Sequence, residues 1–260
     1  IHEVGHLWWG RMHSTKVVEG GNILIEGLAK YTEAVVMEKI YGKRAVYQLS
    51  ETANRRYYTG RAWSKEVEPP LYLSDGQNHL YYGKNFNVMI ALRDLIGEDS
   101  LNQALRTLTD RYRNEDQFSA TSIEFLEELY KVSSSDQHVL IDDWFKRVIT
   151  YDLSIGDIVH RELENGKFEI TMTMQAKRFK TLESGETSTI DINEPIQIGL
   201  FNKHPSLIGK DGGTIYLQPH QISKNGQVVT LVVDELPSFV SVDPYGTRLD
   251  ENLNDNVVNL

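Results

Sequence analysis

The periodicity of the apolar residues changes once along the chain, and this change limits the folds that the chain can adopt. In the first part, apolar side chains recur every three or four residues, as at Leu24 and Leu28. In the second part, they alternate with polar side chains, as at residues 168–174. The first spacing is typical of helices and the second of half-buried strands. The sequence therefore predicts an α+β protein of more than one domain, with a helical domain at residues 1–151 and a β-rich domain at residues 152–260.

Local signals add detail to this division. The capping box at Thr121–Glu124 predicts the start of a helix, and residues 142–148 are predicted to form the last helix. The pair Asn165-Gly166 predicts a tight hairpin turn. Strands are predicted at residues 168–174, 196–201, 214–217, 228–233 and 239–242. This series of short strands favours a β-sandwich.

The strongest chemical signal is the pattern His2-Glu3-Val4-Gly5-His6. Residues four apart share one face of a helix, so both imidazoles can bind the same ion, and neutral imidazole suits zinc. Glu3 is predicted to lie beside the ion as the general base that takes a proton from water. The pattern therefore predicts one zinc ion bound by His2 and His6. The alternative interpretation is a solvated helix with two incidental histidines.

A hydrolytic zinc site needs a third protein ligand and one open position, and the chain has no cysteine to supply that ligand. Glu26 is the preferred candidate because it lies on a second predicted helix. Glu19 is the competing candidate, but it stands beside two glycines in a predicted turn, which holds a ligand less firmly. Glu33 lies two helical turns after Glu26. It is predicted either to accept the outer N–H of a ligating histidine or to be a surface charge.

The segments HEVGHLWWG and LIEGLAKYTE resemble the M1 family of aminopeptidases, which are gluzincins. Nineteen residues (7–25) separate His6 from Glu26, one more than is usual in that family, and Ile25 stands where asparagine is common. The longer spacing and the tail segment VDPYG are similar to one branch of the family. In that branch, an M1 peptidase domain is fused to a bacterial ABC-transporter permease.

This resemblance implies a fold, an activity and one more catalytic residue. The fold is the helical lobe of a thermolysin-like catalytic domain followed by an immunoglobulin-like β-sandwich, and the activity is zinc-dependent release of N-terminal residues from peptides. The family tyrosine that stabilises the oxyanion precedes a lysine, which selects Tyr82 over Tyr81. Asn85 stands where the family has glycine. The family glutamate that binds the substrate amine would lie upstream of Ile1, so we expect the sequence to be part of a longer protein.

Charge and composition narrow the range of partners. The 260 residues carry a net charge of −10, which argues against a nucleic acid partner. No apolar run is long enough to span a bilayer, so this part of the protein is expected to be soluble. The predicted substrate is a peptide. The resemblance implies that the parent protein lies at a bacterial membrane with ABC-transporter partners.

Two further hypotheses compete with peptide hydrolysis. In one, the chain is a non-catalytic peptide-sensing or scaffolding module of an ABC-transporter permease. The presence of Glu3 argues against this hypothesis, because a purely structural site needs no base. In the other, the zinc is structural, but such a site usually fills its fourth position with a protein ligand, and the sequence offers no convincing one.

Overall fold

A computed structural model describes residues 1–10, 20–113 and 120–260. The chain forms two compact units. The first unit comprises Ile1–Met37, Thr52–Ile149 and Thr181–Glu186, and the second comprises Glu38–Glu51, Thr150–Lys180 and Thr187–Leu260. Helices followed by antiparallel sheets confirm the predicted α+β fold class. The domain boundary at 151/152 stays a prediction.

The described ranges contain seven α-helices and two π-helical segments. The α-helices are α1 (His2–Gly5), α2 (Leu28–Tyr41), α3 (Lys43–Trp63), α4 (Asn85–Ile96), α5 (Glu98–Tyr112), α6 (Ser122–Val132) and α7 (Ser135–Lys146). The first π-segment is Ile23–Gly27, and it runs directly into α2. The second π-segment is His79–Lys84, and it runs directly into α4. Short 3-10 turns lie at Leu71–Leu73 and Pro205–Leu207.

Helix α4 is at the centre of the helical core, because residues 85–93 are buried on every side. Helix α5 is amphipathic and buries one stripe, which includes Leu101 and Leu108. Gly97 separates the two helices with a φ of 85°, a conformation that favours glycine. The predicted capping box is confirmed, since the Thr121 side chain accepts from the Glu124 backbone and the Glu124 carboxylate accepts from the Thr121 backbone. None of the helices in the described ranges has the length and apolarity needed to cross a bilayer.

Within the part of the chain that the structure describes, eight strands form two four-stranded sheets. The strands are β1 (Val148–Glu162), β2 (Phe168–Thr181), β3 (Thr187–Ile190), β4 (Glu194–Phe201), β5 (Thr214–Ile222), β6 (Gln227–Val233), β7 (Phe239–Val242) and β8 (Val257–Asn259). In the first sheet β2 pairs with β1, β3 and β6, and the second sheet has the order β5-β4-β7-β8. The predicted alternation is confirmed on β2, where Ile170, Met172 and Met174 are buried.

The end of the last helix was predicted two residues too late. Helix α7 ends at Lys146, and Val148 already begins β1. Residues 148–151 are buried in succession, and β-branched Val148 and Ile149 suit a strand better than a helix end. Strands β1, β3 and β8 were not predicted. Strands β3 and β8 have only three or four residues, which carry little periodic signal.

Candidate metal centre

The structure brings the three predicted ligand side chains together. His2 Nε2 lies 3.2 Å from His6 Nε2 and 3.2 Å from Glu26 Oε2. His6 Nε2 lies 3.3 Å from the same carboxylate oxygen. Across residues 1–10, 20–113 and 120–260, this is the one group of three or more histidine, cysteine or acidic side chains whose ligand atoms converge. The three atoms form a nearly equilateral triangle.

The dimensions of this triangle fit a zinc ion. Tetrahedral zinc with ligand bonds of about 2.0–2.1 Å holds its ligand atoms about 3.3–3.4 Å apart. The observed separations of 3.2, 3.2 and 3.3 Å are close to this value. Two imidazoles and one carboxylate are also a donor set of hydrolytic zinc sites, which leave the fourth position open. The residues present therefore suit the metal that the sequence predicts.

A close backbone approach positions the two histidines. A Cβ atom added at Gly5 would lie 3.1 Å from the Ala29 Cα, so glycine allows α1 to pack against the start of α2. His6 Nδ1 donates to the Trp9 carbonyl at 3.0 Å, which leaves its Nε2 free to bind a metal. The Trp9 indole donates in turn to Thr32 on α2, at 2.9 Å. These contacts fix the orientation of the His6 ring.

Glu26 lies on the first π-segment, whose wider turn interrupts the regular helix. Single π-turns of this kind occur frequently at functional sites. A Cβ atom added at the next residue, Gly27, would overlap the side-chain amide of Asn85. The Asn85 amide donates to the Ile23 carbonyl at 3.3 Å. The first π-segment is therefore packed closely against the start of α4.

Tyr82 joins the centre from the second π-segment. Its hydroxyl donates to Glu26 Oε2 at 2.6 Å, and its ring centroid lies 5.8 Å from that of His2. Burial raises the pKa of the Tyr82 phenol, and the hydrogen bond to Glu26 and the Glu26 charge raise it further, so the phenol remains a donor. The hydroxyl that donates to Glu26 is that of Tyr82, which is the tyrosine that the family resemblance selected over Tyr81.

The remaining predicted site residues have different outcomes. Glu3 lies exposed on α1 between the two histidines. Glu33 does not make the predicted contact with a ligating histidine, because its carboxylate accepts from Lys30 at 2.6 Å, one turn earlier on α2. The outer nitrogen of His6 bonds to a backbone carbonyl instead, and no described residue hydrogen-bonds to that of His2. Glu19, the competing ligand, lies outside the described residues.

Sequence reasoning missed two features at this centre. The Arg56 guanidinium lies over the Tyr82 ring, 5.0 Å from its centroid, although its position on α3 resembles that of any surface arginine. The packing of Asn85 against Gly27 joins segments far apart in the sequence. The departure from glycine at residue 85, visible in the sequence, was the one signal that pointed to this contact.

Comparison with known proteins supplies one finding about family. A model of the peptidase family M1 domain matches residues 1–144, which is more than half of the chain. The match includes the two histidines, Glu26 and Tyr82. No curated protein matches the chain.

Proposed function

Because the chain belongs to peptidase family M1, we propose that it holds the zinc centre of a metallopeptidase that releases N-terminal residues from peptides. Family membership supports peptide hydrolysis in general. The zinc ion, its three ligands and the preference for N-terminal residues are the proposed parts. The observation that carries the proposal is the convergence of His2, His6 and Glu26, with the Tyr82 hydroxyl on the same carboxylate.

The residues of this centre have separate roles in the proposed reaction. When bound by the two histidines and Glu26, Zn²⁺ supplies Lewis acidity, which polarises a carbonyl and makes water more acidic. Glu3 takes a proton from the attacking water and delivers it to the leaving amine. Its exposed position leaves it open to water and substrate. Tyr82 donates its O–H to the carbonyl oxygen as negative charge develops there.

Substitution of the base separates catalysis from metal binding. In the full-length protein, Glu3→Gln should retain zinc, because the residue is not a ligand, and should lower kcat by about 10²–10⁴-fold. Zinc content is measured by mass spectrometry and kcat with short peptides. Glu26→Gln should lose zinc as well as activity. Peptide hydrolysis at the wild-type rate by Glu3→Gln would contradict the role of the base.

The oxyanion donor has a matched control in the neighbouring tyrosine. Tyr82→Phe should lower kcat by about 10²-fold or more without loss of zinc. Tyr81→Phe removes a hydroxyl of the same kind next to it and should leave kcat within about twofold of wild type, because it removes no oxyanion contact. Equal activity of both variants would remove Tyr82 from the mechanism.

The preference for N-terminal residues is tested by blocking the substrate amine. A peptide with a free amine should be cleaved one residue at a time from that end, whereas its N-acetylated form should be inert. Cleavage of both peptides at internal bonds would indicate an endopeptidase. If neither is cleaved with zinc bound, the chain fits the alternative, a non-catalytic peptide-sensing or scaffolding module of an ABC-transporter permease.

A further inference from the structure

A buried ion pair lies directly after Tyr82 in the sequence. Lys84 Nζ is 2.8 Å from Glu68 Oε1, and the two side chains are 1% and 5% exposed. Lysine and glutamate are almost never fully buried unless they are paired. The second carboxylate oxygen accepts from the Tyr57 hydroxyl at 2.7 Å. Glu68 therefore joins the second π-segment to α3 beneath it.

The network continues along α3. Arg61 donates to the Tyr57 hydroxyl at 2.7 Å and lies 3.5 Å from Glu68 Oε2. The other guanidinium nitrogen of Arg61 donates to Thr181 at 2.8 Å. Burial raises the pKa of the Tyr57 phenol well above its ordinary value, and the Glu68 charge adds to this effect, so the phenol stays a donor to Glu68. Both carboxylate oxygens of Glu68 thus have buried donors in fixed positions.

The same two elements also approach each other closely through glycines. A Cβ atom added at Gly83 would lie 2.9 Å from the Ala53 carbonyl oxygen and 3.0 Å from the Tyr57 nitrogen. A Cβ atom added at Gly60 would overlap the side chain of His79. Both ends of the second π-segment therefore pack closely against α3.

The second π-segment presents Tyr82 and Lys84 on different faces. Residues two apart point about 200° apart on an α-helix, and in the wider π-turn they still point in roughly opposite directions, so Tyr82 and Lys84 face opposite sides. Tyr82 faces Glu26, and Lys84 faces Glu68. A buried ion pair adds little stability compared with apolar residues of similar volume, but it fixes position and orientation when its partners are fully satisfied. This network thus holds the face of the segment opposite the metal centre.

We propose that Glu68 is a positioning residue for Tyr82, which it holds toward the metal centre through its ion pair with Lys84. The proposal rests on the proposed function, since the role of Tyr82 is oxyanion stabilisation. A donor that shifts by about 1 Å can cost about 10²-fold in rate. The effect of Glu68 should therefore appear in kcat, and it should depend on the presence of the Tyr82 hydroxyl.

A double-mutant cycle in the full-length zinc-loaded protein tests this dependence. Glu68→Gln alone leaves a buried lysine without its counter-charge, so the test variant is Glu68→Gln with Lys84→Met, which removes both charges. This pair should lower kcat by about tenfold or more while KM and zinc content change little. In the Tyr82→Phe background, the same pair should change kcat by less than about twofold, because the hydroxyl that it positions is already absent.

A control variant and a second measurement make the outcomes distinct. Glu128→Gln removes another buried carboxylate of the same unit, bound to Arg111 and Lys131, and should leave kcat unchanged. Amide exchange in the metal-free protein should become faster at residues 79–84 of the paired variant and remain unchanged in α5. This measurement requires neither zinc nor substrate.

Each outcome supports or overturns the proposal. A loss of kcat that disappears in the Tyr82→Phe background supports it. A loss of equal size in both backgrounds, or no loss, overturns it. If the wild-type protein hydrolyses no peptide, the proposed function fails, and amide exchange still decides whether Glu68 and Lys84 hold the segment: faster exchange confined to residues 79–84 supports this, and unchanged exchange overturns it.

Discussion

Gly27 offers a sharp test of how the two π-segments are packed together. In Gly27→Ala, the new Cβ atom would overlap the Asn85 amide nitrogen and lie 2.8 Å from the Asn85 Cγ. Asn85 is 1% exposed and cannot turn into solvent. The conflict therefore has to be relieved by movement of the backbone next to Glu26 or by displacement of α4.

Two opposing effects determine how much Gly27→Ala changes the free energy of unfolding. Overpacking of a closely packed core costs about 1–3 kcal/mol. Replacing glycine with alanine within a helix contributes about 1 kcal/mol of stability. The free energy of unfolding should therefore fall by up to about 2 kcal/mol in Gly27→Ala. Zinc affinity should also fall, because Glu26 is the adjacent residue.

A second substitution should reverse the sign of this effect. Asn85→Ala removes the obstructing amide, its 3.3 Å hydrogen bond to Ile23 and a buried carbonyl oxygen to which no described residue hydrogen-bonds. In that background Gly27→Ala should be neutral or stabilising by about 1 kcal/mol, which corresponds to a coupling of about 1–3 kcal/mol. Urea denaturation measures the stabilities, and chelator competition measures zinc affinity. An equal loss in both backgrounds would refute the packing argument.

Three further perturbations test other parts of the structure. Gly60→Ala should lower the free energy of unfolding in urea denaturation by up to about 2 kcal/mol, because overlap of its Cβ with His79 costs about 1–3 kcal/mol and the loss of a helical glycine returns about 1 kcal/mol. His79→Ala should relieve most of this loss, and an undiminished loss would contradict the contact. Burial, with smaller contributions from neighbouring carboxylates, raises the pKa of Asp250 to about 7. The folded state therefore binds this proton more tightly than the unfolded state, so its stabilising contribution is present at acid pH and is lost as pH rises from about 4 to 7. The melting temperature of Asp250→Asn should vary less over that range, and an unchanged pH profile would contradict the assignment. Glu194→Ala should destabilise the chain by about 3–5 kcal/mol, because it removes the carboxylate that lies 2.9 Å from buried Arg248. A loss below about 1 kcal/mol in urea denaturation would contradict the importance of this buried ion pair.

The local part of the metal centre was predictable from sequence. The four-residue spacing of His2 and His6 requires a shared helix face, and the structure places their Nε2 atoms 3.2 Å apart. The choice of Tyr82 depended on the lysine two residues later, and its hydroxyl bonds to Glu26. The spacing of the two histidines needed only helical geometry, whereas the choice of Tyr82 came from the resemblance to the M1 family.

At the centre, the interpretation of Glu33 as the partner of a ligating histidine failed because another side chain competes for its carboxylate. Glu33 has the correct spacing from Glu26 to face a histidine, but Lys30 on the same helix is nearer and binds its carboxylate. The π-segments were also not predicted, because apolar periodicity at Leu24 and Leu28 is compatible with an ordinary helix. Their wider turns accompany contacts between distant residues, such as Asn85 with Gly27. A pattern within one segment does not contain that information.

The two π-segments have a consequence for how this centre changes in evolution. Inserting one residue into an α-helix rotates everything beyond it by about 100°, which would turn buried side chains of α2 or α4 to the outside. A π-turn confines the extra residue to one turn and leaves the rest of the helix in register. Glu26 and Tyr82 both lie within such turns. Gain or loss of a single residue there can therefore redirect the Glu26 carboxylate or the Tyr82 hydroxyl while the helical core stays intact. Alignments of relatives should accordingly place one-residue gaps at these two turns.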